Sequence, residues 1–193
     1  MNREAFFNSV RASLFNGNLT QPQVDGMNAI LDGFGKRYPD GDPRWLAYYL
    51  ATAKWETAGT MQPVREAFWL SENWRRLNLR YYPYYGRGYV QLTWKSNYQR
   101  QSQADRTGID LVTNPDVALQ PEIAAQVLFV GMEHGDYGGG GIAHYFNATT
   151  EDPVHARRLV NVMDHAEQIA ALYDSFKTAL ASAAAAPSPA ATA

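Results

Sequence analysis

The sequence predicts one mainly helical domain, and three observations carry that reading. Apolar residues recur at helical spacing through most of the chain, several of these segments open on a cap residue or a proline, and a single short stretch alternates as a strand would. The length of 193 residues suits one sizeable core and is too short for two large domains. With 46% of residues hydrophobic and only 19% charged, the chain reads as a folded globule and not as a disordered one.

Phe6, Val10 and Leu14 give residues 2–15 a helical stripe. Thr20, ahead of Gln21 and Pro22, opens a second helix carrying Val24, Met27, Ile30 and Leu31. Asp42 and Pro43 supply an N-cap and a first-turn proline for a third helix that runs to about Thr57, where Gly59 ends it. The stretch from Gly59 to Tyr85, broken by Pro63 and Pro83, reads as a cleft-lining loop region with a short helix over Ser71–Leu77. Tyr89–Trp94 is the strand, with Tyr89, Gln91 and Thr93 on one face and Val90, Leu92 and Trp94 on the other. Helix resumes over Lys95–Arg106, and Pro121 opens an apolar helix through Ile123, Val127, Leu128 and Val130 that is expected at the buried centre. Gly138–Gly141 is a turn, and Asp152–Pro153 starts a further helix. Asp164 and Glu167 resemble a capping box that opens the last helix, whose apolar side holds Ile169, Leu172, Tyr173, Phe176 and Leu180. The folded domain is thus expected over 1–181, with the Ala/Ser/Pro-rich residues 182–193 as a mobile tail.

Composition excludes several function classes. Seventeen Lys plus Arg against nineteen Asp plus Glu give a net charge of -2, so nucleic acid is not expected as a partner. Cysteine is absent, which removes disulfides, thiol nucleophiles and Cys-ligated zinc. His134, His144, His155 and His165 have no metal-ligand spacing, and neither a metal nor any other cofactor is expected. The N-terminus, charged at Arg3, Glu4 and Arg11, does not read as a secretory signal. No window reaches the roughly 18 to 20 apolar residues that span a bilayer, so stable membrane insertion is not expected.

The candidate chemistry lies between residues 45 and 97. Trp45, Tyr49, Thr52 and Glu56 share a face of the third helix, which leaves Glu56 at the helix end beside an apolar surface. Desolvation there favours the protonated form that a general acid needs; an ordinary ion pair with Lys54 or Arg65 is the other reading. Glu66, carried on the following loop, fits the second carboxylate of a glycosidase or a solvated partner of Arg65. Tyr81, Tyr82, Tyr84, Tyr85 and Tyr89 surround Gly86 and Gly88 and fit either a sugar-binding surface or core packing. Gln91 and Thr93 are placed to bind substrate or water, or simply to face solvent.

Three strings, WETAGTMQPVRE at 55–66, YYGRGYVQLTWKSNY at 84–98 and ARRLVNVMDHAEQIAALYDSF at 156–176, together resemble glycoside hydrolase family 19. This is the chitinase and endolysin group of the lysozyme-like superfamily, and the likeness is strongest to its phage and prophage endolysins. The resemblance implies a two-lobed helical domain with a small β-hairpin beside an active-site cleft, and hydrolysis of β-1,4 bonds between N-acetylated amino sugars without metal or cofactor. It implies Glu56 as the general acid, Glu66 as the glutamate that activates water, and Thr93 as the residue that helps hold that water. Gln91, Asn97 and Asn161 match substrate-contacting positions, and Tyr85 and Arg87 are expected to bind substrate with them. The chain departs from the family pattern at Trp55, where His is usual, at Ser96, where Tyr is frequent, and at Val162, where Gly is usual.

The lack of a signal, of disulfides and of a chitin-binding module favours a lysozyme made in the bacterial cytoplasm. It is expected to act as a monomer on the peptidoglycan glycan strand after a holin-type partner gives access to the wall. Single displacement with inversion is the expected course, which requires the carboxyls to stand about 6.5 to 9.5 Å apart. The alternatives are a chitinase of the same fold, a lytic transglycosylase, and a non-catalytic glycan-binding phage protein.

Overall fold

A computed structural model describes residues 1–187. Its helices are α1 (Arg3–Leu14), α2 (Gln21–Arg37), α3 (Pro43–Glu56), α4 (Glu72–Asn78), α5 (Lys95–Gln101), α6 (Pro121–His134) and α7 (Ala166–Ala185). Two short strands, β1 (Val64–Arg65) and β2 (Arg87–Gly88), pair antiparallel with Val64 opposite Gly88 and Arg65 opposite Arg87. The mainly helical class with a small β element is therefore what the chain adopts. No helix among the described residues is long and apolar enough to cross a membrane.

The core is built around α3 and α6, each buried almost all round. Every residue from Leu46 to Ala53 is buried, as is every residue of α6 from Val127 to Met132. Such helices are stabilised by packing on all sides and not by one stripe. α7 lies against both α1 and α3, and α2 lies along α6. Phe129 is an aromatic hub, with its ring 4.9 Å from Tyr49 and 6.1 Å from both Phe34 and Tyr38. The face of α3 expected to lead toward the cleft, Trp45–Tyr49–Thr52–Glu56, is mostly core. Tyr49 and Thr52 are buried, and only the last turn of the helix reaches open space.

Local chemistry explains most helix starts. Asn2 accepts a hydrogen bond from the Ala5 amide, Asp42 from Arg44, and Ser71 from Trp74, each satisfying an otherwise orphaned N–H. Gly135, at φ 70°, ends α6 in the left-handed conformation that glycine adopts without strain.

Several expectations are corrected. Tyr89–Trp94 is not a strand: after Gly88 the chain reverses through Gln91 and Trp94, both at positive φ, and buries Tyr89, Val90 and Leu92 together. Tyr89 is drawn inward because its hydroxyl donates to the Gly26 carbonyl on α2. α5 stops at Gln101, whose amide is buried against Asp136, and the chain bends so that Arg106 also reaches Asp136. The segment after Pro153 makes only a 3-10 turn, His155–Leu159. α7 starts one residue later than expected, from His165 in the left-handed region, without a side-chain cap, and the Asp164 carbonyl accepts from Arg157. The expected tail boundary at 182 also moves. α7 continues to Ala185 with Ala183 buried, and Asn2 bonds the carbonyls of Ala183 and Pro187. The rest of the expected tail, 188–193, lies outside the described residues.

Two measurements probe this frame. A Cβ on Gly26 would lie 1.6 Å from the Met61 carbonyl oxygen, so Gly26→Ala must displace the loop joining α3 to β1. It is expected to destabilise the fold in chemical denaturation by about 1–3 kcal/mol, in spite of the roughly 1 kcal/mol that alanine gains over glycine inside a helix. A variant as stable as wild type would contradict the close approach. The second measurement is of pH. Burial raises the pKa of Asp116, but hydrogen bonds from Arg65 and Arg87 outweigh it and hold the carboxyl below its usual range; Arg37 and Tyr38 do the same for Glu133. A depressed carboxylate adds stability above its unfolded pKa and loses it as pH falls through the folded value. The melting temperature should therefore fall on acidification below the usual carboxylate range of about 4. Asp116→Asn should flatten that fall, and an unchanged profile would deny Asp116 its share.

Candidate active site

Glu56 is the last residue of α3. Thr57 caps the helix with its hydroxyl on the Ala53 carbonyl and receives the Met61 amide, while Ala58, Gly59 and Met61, all at positive φ, reverse the chain. The Glu56 side chain, 16% exposed, receives a 2.6 Å hydrogen bond from Nη1 of Arg157 on Oε1. Arg157 is buried, and its Nε donates to the Asp164 carbonyl. Oε2 of Glu56 has no hydrogen-bond partner among the described residues.

Glu66 follows β1 directly. Its amide donates to the Gly86 carbonyl, and its carboxylate accepts from the Gly86 amide on Oε2 at 2.9 Å and from the Tyr81 hydroxyl on Oε1 at 2.6 Å. The Tyr81 pKa is pushed up to about 12 by burial and by Glu66, so the phenol stays a donor. Gly86 permits this geometry: a Cβ there would lie 2.7 Å from the Gln91 side-chain oxygen and 3.3 Å from Glu66. From behind, buried Arg75 donates through Nε to the Glu66 carbonyl oxygen.

Both glutamates line one cleft of about 660 Å³, together with Gln91, Thr93, Asn97 and Asn161. Gln91 bonds the Val64 and Gly88 carbonyls through Nε2 and so spans the two strands. The Thr93 hydroxyl donates to the Gln91 carbonyl at 2.7 Å, which leaves its oxygen free to accept a hydrogen bond from a water. Asn97 donates to the Thr93 carbonyl, and exposed Asn161 accepts from the Val162 amide. Among the described residues no group of three or more metal-binding side chains is gathered.

Tyr85 and Arg87, expected to bind substrate, are not in the cleft. Arg87 is buried, with its guanidinium 3.7 Å from the centre of the Tyr85 ring, and it donates to Asp116, to the Pro83 and Tyr85 carbonyls and to the Tyr98 hydroxyl. Tyr85 is equally buried and donates to Glu72. The tyrosine cluster is accordingly mostly core, and only Tyr81 of the five lines the cleft. Sequence reasoning missed Tyr81 as the holder of Glu66, Arg157 as the holder of Glu56, and the exposed rings of Phe68, Trp69 and Trp94 on the cleft wall. Phe68 and Trp69, an aromatic pair in an irregular stretch just after Glu66, carried the one usable signal; nothing in spacing links Arg157 to a glutamate 101 residues away. Trp55, at the position where His is usual, lies tilted against His165 with ring centres 4.7 Å apart.

Residues 46–133 match the family model described as class I chitinase. Two curated relatives align over short stretches. The acidic endochitinase pcht28 of Solanum chilense is 57% identical over 42 residues, which is 21% of this chain and 17% of that one. Chitinase 11 of Oryza sativa subsp. japonica is 51% identical over 43 residues, 22% of this chain and 16% of that one. The match thus spans about a sixth of the length of these relatives. Two solved structures share the fold over nearly all of the chain. Chitinase C from Streptomyces griseus HUT6037 has a TM-score of 0.57 at 19% identity, covering 97% of this chain and 78% of that one. A bacterial family 19 chitinase has a TM-score of 0.50 at 22% identity, covering 86% and 88%. Segment 46–133, which carries both cleft glutamates, matches the class I chitinase model, and the chain shares its fold with family 19 chitinases.

Proposed function

We propose that the protein hydrolyses β-1,4 bonds between N-acetylated amino sugars, with Glu56 as general acid and Glu66 as general base. The observation that carries this reading is the placement of two separately held carboxylates on one cleft. Glu66 has both oxygens engaged by donors, whereas Glu56 is held through Oε1 only and its Oε2 has no partner among the described residues. Glu56 gives that proton to the glycosidic oxygen as the C1–O bond breaks. Glu66 takes a proton from a water whose oxygen bonds C1 from the opposite face. Thr93, whose hydroxyl donates to the Gln91 carbonyl, accepts a hydrogen bond from the water's other O–H and orients it. Arg157 keeps Glu56 in one rotamer while substrate enters.

The polymer we propose is the peptidoglycan glycan strand, for which Arg65, the one cation among the described residues that line the cleft, offers a contact to an acidic group while it pairs with Asp116. Chitin, a neutral polymer with the same linkage, is the second reading, and the endochitinase names of the aligned relatives favour it.

Turnover of chitin oligomers and of purified peptidoglycan by one preparation separates the two polymers. On whichever is cleaved, Glu56→Gln should lower kcat on the order of 10²-fold or more, the usual contribution of proton donation to a leaving group. Unchanged turnover would remove Glu56 from the chemistry. Glu66→Gln should lower kcat similarly, and retained activity with anhydro sugar ends would instead identify a one-acid transglycosylase. Proton NMR of the first product should reveal the α-anomer released from a β bond, since the base activates water on the far face. A β-anomer would mean double displacement.

A further inference from the structure

A second, smaller pocket opens beside the cleft and has no part in the chemistry above. Its volume is about 240 Å³ and its walls are Pro63, Val64, Arg65, Phe68, Arg75 and Leu119. Val64, Arg65 and Phe68 line both spaces, so the pocket is a side chamber of the cleft next to Glu66. We propose that this chamber binds a carboxylate carried by the glycan strand, a reading that rests on the strand lying in the cleft as proposed.

The chamber is built for that group. Two guanidiniums face it and no acidic side chain lines it. Arg75 is 4% exposed; its Nε and Nη1 donate to the Glu66 and Leu70 carbonyls, Nη1 also lies 3.5 Å from Glu72, and Nη2 has no hydrogen-bond partner among the described residues. Nη2 is therefore a guanidinium donor available to a ligand that enters the chamber. Arg65 commits Nη2 to Asp116, yet Asp116 also serves Arg87, so one carboxylate is shared between two cations. Pro63, Phe68 and Leu119 supply apolar walls for a short aliphatic stem. An acetamide or hydroxyl forms only neutral hydrogen bonds with these two guanidiniums, whereas a carboxylate forms stronger, charge-assisted ones. The group could come from a lactyl ether on the sugar or from a stem peptide attached to it.

Binding to the Glu56→Gln protein tests the proposal without turnover. The probes are peptide-free glycan strands and peptide-bearing strands, each used as such and with the carboxyls reduced to alcohols. At least one unreduced strand should bind on the order of tenfold more tightly than its reduced counterpart, as one charge-assisted contact implies. A gain with peptide-free strands identifies the lactyl carboxylate, and a gain confined to peptide-bearing strands identifies the stem peptide. Adding Arg65→Gln should bring the ratio to about one, and Arg65→Lys, which keeps the charge but loses the fork, should retain part of it. Equal binding of reduced and unreduced strands, a ratio that survives Arg65→Gln, or no binding of any strand overturns the chamber. Failure of the hydrolase reading is seen separately, as wild-type protein that binds these strands or chitin oligomers and cleaves none.

Discussion

Three arginines, Arg75, Arg87 and Arg157, are almost wholly buried, and the walls of the cleft are arranged around what each of them needs. A guanidinium taken out of water is tolerated only where acceptors replace its hydration, and five donors in a fixed plane dictate where those acceptors stand. Arg157 takes the Glu56 carboxylate and the Asp164 carbonyl, which ties the end of α3 to the segment before α7. Arg87 takes the Pro83 and Tyr85 carbonyls, the Tyr98 hydroxyl and Asp116, and so pins the second strand to α5 and to the turn before α6. Arg75 takes the Glu66 and Leu70 carbonyls and fixes the loop that bears the second glutamate. Lysine, a point charge, could not hold several acceptors in such fixed directions.

The consequence for the site is preorganisation. Glu66 is constrained at its amide, at its carbonyl and at both carboxylate oxygens before any ligand arrives. Glu56 is constrained through one oxygen only. On the proposed reading, holding both carboxylates in place removes part of the orientational cost of reaction. The exposed rings of Phe68, Trp69 and Trp94 add flat apolar surface along the same cleft, where the apolar faces of sugar rings can lie.

Legibility followed the range of the interaction. The caps at Asn2, Asp42 and Ser71 and the proline starts of α3 and α6 are local devices, and the helices they open were readable from neighbouring residues. Tyr89–Trp94 misled because alternation states only that residues differ in polarity. The hydroxyl of Tyr89 found a carbonyl on α2, 63 residues earlier, and the chain turned to deliver it. Asp164 and Glu167 misled because the helix starts one residue later, from His165 in the left-handed region, so Asp164 is not its N-cap. In the site, Glu56, Glu66, Gln91, Thr93, Asn97 and Asn161 do share one cleft, whereas Tyr85 and Arg87 are spent on holding its wall.

By itself the sequence determined the mainly helical class, the placement of one glutamate at a helix end with a second on the loop beyond it, and the absence of cysteine chemistry, because these depend on residue type and on contacts a few positions apart. Only the tertiary structure decided which tyrosines are core, which arginines are buried, and which donors hold each glutamate. Those outcomes depend on partners separated by tens of residues, whose approach is set by how the helices pack and carries no periodic mark in the chain.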